Sequence, residues 1–263
     1  MCNERGQTRI KFSNKIKTWV LLRGLTREHR HWEDFPETLQ QCFPGTKIIS
    51  PDLPGNGDHA DIKSPSSIQD MLLFLRKDIA PSIASGPVHI IGLSMGAMVA
   101  IEWMKSYPQE CAASVLINTS LKAISPFYHR LRPENYYRIL YSLVTSHNYR
   151  REKTILQMTS NLYPNTEQLL QRWVSYAEEN PVLPSNAFRQ LLAASRYSAP
   201  KLKPCVPILL LRSKNDNLVN SQSSVSLAHN WLLPIETHPL AGHDLTLDDA
   251  DWVCQKINHW LHN

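Results

Sequence analysis

The pentapeptide Gly92-Leu93-Ser94-Met95-Gly96 constrains this chain more than any other feature. Residues 87–92 before it are apolar and β-branched enough for a buried strand. Residues 96–106 after it are small and apolar, as in a buried helix. A G-x-S-x-G placed between strand and helix puts its serine on a strained turn, with the hydroxyl pushed outward. The flanking glycines let strand and helix pass close by, and Ala97 and Ala100 keep the helix slim on its packing side. Such a chain is committed to a strand–turn–helix unit, and so to an α/β architecture.

The remaining pattern repeats that unit. Residues 16–23, 47–50, 113–119, 206–212 and 235–240 read as further strands. Residues 67–84 carry Ile68, Met71, Leu72, Leu75 and Ile79 at helical spacing, and residues 248–262 put Trp252, Ile257 and Leu261 near one helical face. Strands alternating with helices predict a mostly parallel sheet covered on both faces. Residues 121–203 break the rhythm. They are rich in aromatics and arginine, and their apolar residues recur only at helical spacing, as in Leu169, Leu170, Trp173 and Tyr176. The expected organisation is a core made of 1–120 and 204–263, with a helical cap inserted at 121–203.

A serine hydroxyl is a poor nucleophile without a base. Of eleven histidines, His243 stands where a base is needed, in Leu240-Ala241-Gly242-His243-Asp244, between the last strand and the last helix. The base needs an acid to fix its tautomer and stabilise the imidazolium. Asp216 follows the strand at 206–212 and is preferred over Asp244, which is poorly aimed to bond its neighbour's ring, and over Asp248. Acyl transfer also needs donors for an oxyanion. The backbone N–H of Met95, at a helix start, is one candidate, and the N–H of Leu25, after the first strand, is the other.

The segments LLRGLTREHRHW, PDLPGNG, GLSMG, LLLRSKNDNLV and LAGHD stand in the order of the α/β-hydrolase superfamily, which the chain resembles in the branch that carries a cap. The order Ser94, Asp216, His243 is that superfamily's, unlike the chymotrypsin or subtilisin orders. The resemblance implies an α/β-hydrolase fold and hydrolysis of an ester or thioester through an acyl-enzyme, with no metal or organic cofactor. A serine nucleophile disfavours dehalogenase and epoxide hydrolase chemistry. Where the superfamily usually has His-Gly, this chain has Arg23-Gly24. Arg23 is expected either to pair with an acid such as Asp52 or to select an anionic substrate. The usual N-terminal hairpin is expected to be reduced.

The substrate is expected to lie under the inserted segment, with Arg23, Trp32, Tyr128 and Trp173 as candidate binding residues. That segment has twelve basic and five acidic residues, +7 of a total of +5, so the remainder is slightly acidic. Members of the superfamily that hydrolyse pimeloyl-acyl-carrier-protein methyl ester are similar in size and cap position, which makes an acidic carrier protein a candidate partner. Among peptidases, a proline iminopeptidase is disfavoured because the segment is poor in acids to hold the substrate's amine. A C–C bond hydrolase with the same triad and a non-catalytic binding protein on the same fold stand as alternatives. The basic charge has no nucleic-acid motif with it, so no nucleic-acid partner is expected. The five scattered cysteines suggest reduced thiols. No apolar run is long enough for a spanning helix and no secretory leader is visible, so a cytoplasmic location is expected.

Overall fold

The computed structural model describes residues 18–163, 165–198 and 200–263. Ile16 and Lys17 of the first expected strand, and the readings of the leader and N-terminal hairpin, lie outside the described residues. In chain order the elements begin β1 (Thr18–Leu22), α1 (Phe35–Cys42), β2 (Lys47–Ile49), α2 (Ile68–Ile79), β3 (Val88–Leu93), α3 (Met95–Ser106) and β4 (Cys111–Ile117). Five helices follow: α4 (Phe127–Arg130), α5 (Tyr136–Val144), α6 (Asn148–Thr159), α7 (Glu167–Glu179) and α8 (Pro184–Arg196). The chain then returns through β5 (Ile208–Ser213), α9 (Gln222–Trp231), β6 (Ile235–His238), α10 (Leu245–Asp248) and α11 (Ala250–His262).

All strand pairings are parallel, in the order β2-β1-β3-β4-β5-β6. The inner strands β1, β3, β4 and β5 are largely apolar on both sides, and their alternation feeds two cores. Val20, Leu22, Ile90, Leu116 and Leu210 face one core, which α2, α3 and α9 cover. Trp19, Leu21, Ile91, Val115 and Leu211 face the other, under α1 and α11. The split follows from handedness. Parallel crossovers are right-handed, so reversing the direction of winding moves the connecting helix to the opposite face. The chain winds from β1 to β2 one way and from β2 past β1 to β3 the other, which puts α1 and α2 on opposite faces. The switch point lies between β1 and β3, where open α/β sheets bind ligands outside the carboxyl ends of their strands.

The helices α4 to α8 all lie between β4 and β5, with no strand among the described residues there. Leu156, Leu169, Leu170 and Trp173 form a small core of their own. None of the residues of α5 is buried.

Among the thiols, Cys42, Cys111 and Cys254 are free, and burial pushes Cys111 and Cys254 up to about 12. Cys205 is disulfide-bonded, which corrects the expectation of reduced thiols throughout. No helix among the described residues is long and apolar enough to cross a membrane.

Candidate active site

Four strand ends bring the sequence-predicted residues to one edge of the sheet. The register pairs Leu22 with Gly92 and Leu93 with Ile117, so the turn after β3 sits between the ends of β1 and β4. Ser94 has φ 57° and ψ −115°, a left-handed conformation that a residue with a side chain adopts only when its surroundings enforce it. Its N–H donates to the Ile117 carbonyl at 2.9 Å, and its carbonyl accepts from Ala97 N–H at 3.1 Å and Thr119 Oγ1 at 3.2 Å. From Val88 through Met104 it is the one residue that is not buried. The tightness of the turn explains its glycines. A Cβ on Gly96 would lie 2.0 Å from the Leu22 carbonyl oxygen, and one on Gly92 would lie 2.7 Å from Ala97 Cα.

The candidate base and acid meet near this turn. His243 Nδ1 lies 2.7 Å from Asp216 Oδ2, with both side chains buried. The other Asp216 oxygen, Oδ1, accepts from the N–H groups of Leu218 at 2.8 Å and Val219 at 2.9 Å, which fixes the carboxylate plane. The rival acids are engaged elsewhere. Asp248 accepts from Gly242 N–H, Ser160 Oγ and Asn161 N–H, tying the histidine loop to the end of α6. Asp244 pairs with Arg23.

Ser94 and His243 share the wall of a cavity of about 400 Å³. Leu25, Met95, Arg23 and Trp173 also line it, with Met98, Ile139, Leu143, Ile155 and Met158 among the apolar remainder. Met95 N–H, the first of α3, has no carbonyl one turn back to bond. Leu25 N–H makes no hydrogen bond among the described residues. The helix dipole adds partial positive charge at the same place. A serine hydroxyl, two N–H groups and an imidazole backed by a carboxylate, all on one cavity wall, suit attack on a carbonyl.

Two candidate binding residues do not reach the cavity. Trp32 is buried beneath it, packing on Phe35 and carrying the Arg23 guanidinium on its ring face at 4.7 Å. Tyr128 is half exposed and turns edge-on to Phe127 and His129, because α4 has only one turn and no buried residue to hold it inward. Arg23 pairs with Asp244 rather than Asp52, through Nη1 at 3.1 Å and Nη2 at 2.5 Å. Burial alone would raise the Asp244 carboxyl, but the Arg23 charge and hydrogen bonds hold it below the ordinary carboxylate range. Asp52 instead accepts from His29 N–H, His29 Nδ1 and Asp58 N–H, and this bond raises the His29 imidazole. The ligand atoms of Glu28, His29 and Asp52 lie within 4.8 Å of one another, but these N–H donors and Arg30 already occupy the two carboxylates.

Asn118 was not signalled by sequence. At φ 46° just past β4, its Nδ2 donates to the carbonyls of His243 at 2.8 Å and Gly242 at 3.3 Å, and its Oδ1 accepts from Ser213 N–H at 2.8 Å. One buried amide thus joins the end of β5, just ahead of Asp216, to the histidine loop. Nothing in Ile117-Asn118-Thr119 marks it, because its partners are about 95 and 125 residues away.

The alpha/beta hydrolase family model matches residues 19–256, so the chain belongs to the alpha/beta hydrolase family, a family of enzymes. It is 26% identical over 112 residues to a 2-hydroxy-6-oxononadienedioate/2-hydroxy-6-oxononatrienedioate hydrolase of Pseudomonas putida, covering 42% of this chain and 39% of that one. It is 29% identical over 102 residues to the biotin biosynthesis bifunctional protein BioHC of Teredinibacter turnerae, covering 38% of this chain and 17% of that one. The matches thus span about two-fifths and under one-fifth of these relatives. A thermophilic esterase from Thermogutta terrifontis shares the fold, with a TM-score of 0.74 and 18% identity over 94% of this chain and 90% of that one.

Proposed function

We propose that this protein is a serine hydrolase of carboxylic esters or thioesters. The observation that carries the reading is the buried His243–Asp216 contact at 2.7 Å, with His243 and Ser94 on the wall of one apolar cavity. In this reading His243 Nε2 takes the Ser94 proton, and Ser94 Oγ attacks the carbonyl carbon. The N–H groups of Leu25 and Met95 hold the oxyanion. His243 then protonates the departing alcohol or thiol, and the acyl group stays on Ser94. In the second half His243 deprotonates a water, which cleaves the acyl-enzyme and frees the acid. Asp216 holds the imidazole tautomer and stays ionised.

Residues 121–203 act in this reading as a cap that shapes the acyl site. Tyr136, Ile139, Leu143, Ile155, Met158 and Trp173 come from it and line the cavity, which favours an apolar acyl chain. Of the arginines on the wall, Arg23 pairs with Asp244 and Arg27 with Glu152, while Arg130 donates to the Ala194 and Ser195 carbonyls. A second reading places that chain on an acidic acyl carrier protein. It is favoured by the +7 charge of the segment and by the similarity to BioHC.

The test is turnover of p-nitrophenyl acyl esters of graded length, free and carrier-linked. Wild type is expected to prefer a chain of several carbons over acetate. Ser94→Ala and His243→Ala are expected to lose several orders of magnitude in kcat. Near-normal turnover by Ser94→Ala defeats the reading. Carrier-linked turnover that does not fall as salt rises defeats the docking.

A further inference from the structure

We propose that Gln190 on α8 and Glu152 on α6 are positioning residues for the oxyanion donor Leu25, so that the inserted helices help to build the catalytic site they cover. The inference rests on the serine hydrolase reading above.

Residues 24–27 form a tight turn, closed by Arg27 N–H donating to the Gly24 carbonyl at 3.3 Å. The carbonyl and N–H of a trans peptide point in opposite directions. Holding the Gly24 oxygen inside the turn therefore aims the Leu25 N–H of the same peptide out of it. The turn fixes the donor's direction.

It does so against local preference. Thr26, at its third position, has φ 56°. Turns that need positive φ there favour Gly or Asn, and a β-branched residue in that region is a genuine outlier. Something outside the turn must hold it.

Two contacts from distant helices do so. Thr26 N–H donates to Gln190 Oε1 at 2.9 Å. Gln190 is fully buried, and its Nε2 donates to Asn56 Oδ1 at 2.8 Å and Ser64 Oγ at 3.1 Å, which fixes which end of the amide meets Thr26. Asn56 Nδ2 in turn donates to the Arg27 carbonyl at 3.1 Å. The Arg27 side chain donates through Nη1 to Glu152 Oε2 at 2.6 Å, and both side chains are buried. The third and fourth residues of the turn are thus held from α8 and α6, 164 and 125 positions along the chain.

These groups touch neither Ser94 nor His243, and Gln190 and Glu152 are absent from the wall of the main cavity. Their effect on catalysis would pass through the direction of one N–H. An oxyanion donor acts in the transition state, so misaiming it lowers kcat and leaves KM nearly unchanged.

The test uses the full chain and a p-nitrophenyl ester. Gln190→Met keeps side-chain volume and removes the acceptor. The expected result is a fall in kcat of about ten- to a hundredfold with KM within about twofold, below the 10²–10³ of losing a donor outright. Affinity for a boronic acid, which mimics the tetrahedral intermediate, should fall in parallel. Rescue separates positioning from packing. Thr26→Gly relieves the strained φ, so the double variant Gln190→Met/Thr26→Gly should recover most of the lost kcat. If Gln190→Met does not fold, Glu152→Gln, which keeps shape and loses charge, carries the same kcat and KM expectation. Wild-type kcat in the variant that folds overturns the proposal, as does a loss that Thr26→Gly does not repair or one that falls on KM alone. Activity of Ser94→Ala in the same assay would instead overturn the serine hydrolase reading.

Discussion

Replacing Arg23 by Met should unmask how much the histidine loop depends on the end of β1. The guanidinium is 4% exposed and makes a two-pronged contact to Asp244, at 3.1 and 2.5 Å, while lying on the Trp32 ring. Methionine fills much of the same volume but leaves the Asp244 carboxylate buried with only Thr246 Oγ1, at 3.1 Å, as a side-chain donor. Breaking a buried pair from one side costs about 3–5 kcal/mol. At roughly 2–4 °C per kcal/mol for a domain near this size, Tm should fall by about 6–20 °C at pH 7. The pH dependence supplies the signature. In wild type the Asp244 carboxyl is depressed, so its contribution is present above the unfolded pKa near ~3.9 and is lost as pH falls through the lower folded value. Without Arg23 the desolvation that raises it is opposed only by the smaller effects of the Thr246 hydrogen bond and the His243 charge. The variant then loses stability as pH rises from about 4 through the new folded value, so its deficit should shrink on acidification from pH 7 toward pH 4.5. Adding Asp244→Asn should restore much of the loss, because no buried charge is left unpaired. Calorimetry on the three proteins across that range is the assay. An Arg23→Met protein within about 2 °C of wild type at pH 7, or a deficit that does not change with pH, refutes the reasoning.

Asn118→Ala should lower Tm and cut kcat about tenfold, since it leaves buried Ser213 N–H without its partner, worth about 1–3 kcal/mol, and frees the His243 backbone. Melting and ester turnover on the same preparation check both parts. His31 is held neutral, pushed well below the usual histidine value by burial, with Arg27 and Arg23 adding to the effect. Below about pH 6.5 the unfolded chain takes up a proton that the folded one refuses, so stability should fall on acidification. His31→Gln should flatten the Tm profile between pH 7 and pH 5; an unchanged slope would contradict this.

Sequence revealed those parts of the fold that repeat a local period. The inner strands are apolar on both sides, which marks them as covered by helices on both faces. The serine turn was legible because its glycines mark a close approach of backbones: Gly96 lies against the Leu22 carbonyl. Two of the longer core helices gave no clear sequence signal. In α1 only Phe35 and Leu39 are buried, and α9 hides its helical face among serines, two of them buried. The partner of Arg23 was missed for a different reason. Sequence pointed to an acid such as Asp52, and only the folded loop brings Asp244 across 221 residues. Asn118, Gln190 and Glu152 share that character. Each acts through partners more than ninety residues away, a separation at which no periodicity or spacing carries a signal. Tyr128 and Trp32 were aromatic in the right region, but one faces solvent and the other supports Arg23 from below.

The most direct test of the central claim is the intact mass of the protein after treatment with a fluorophosphonate, for wild type and Ser94→Ala. An activated Ser94 predicts a single adduct on wild type and none on the variant, with Asp216→Asn labelled far more slowly. No adduct on folded wild type, or an equal adduct on Ser94→Ala, would contradict the assignment of Ser94 as the nucleophile.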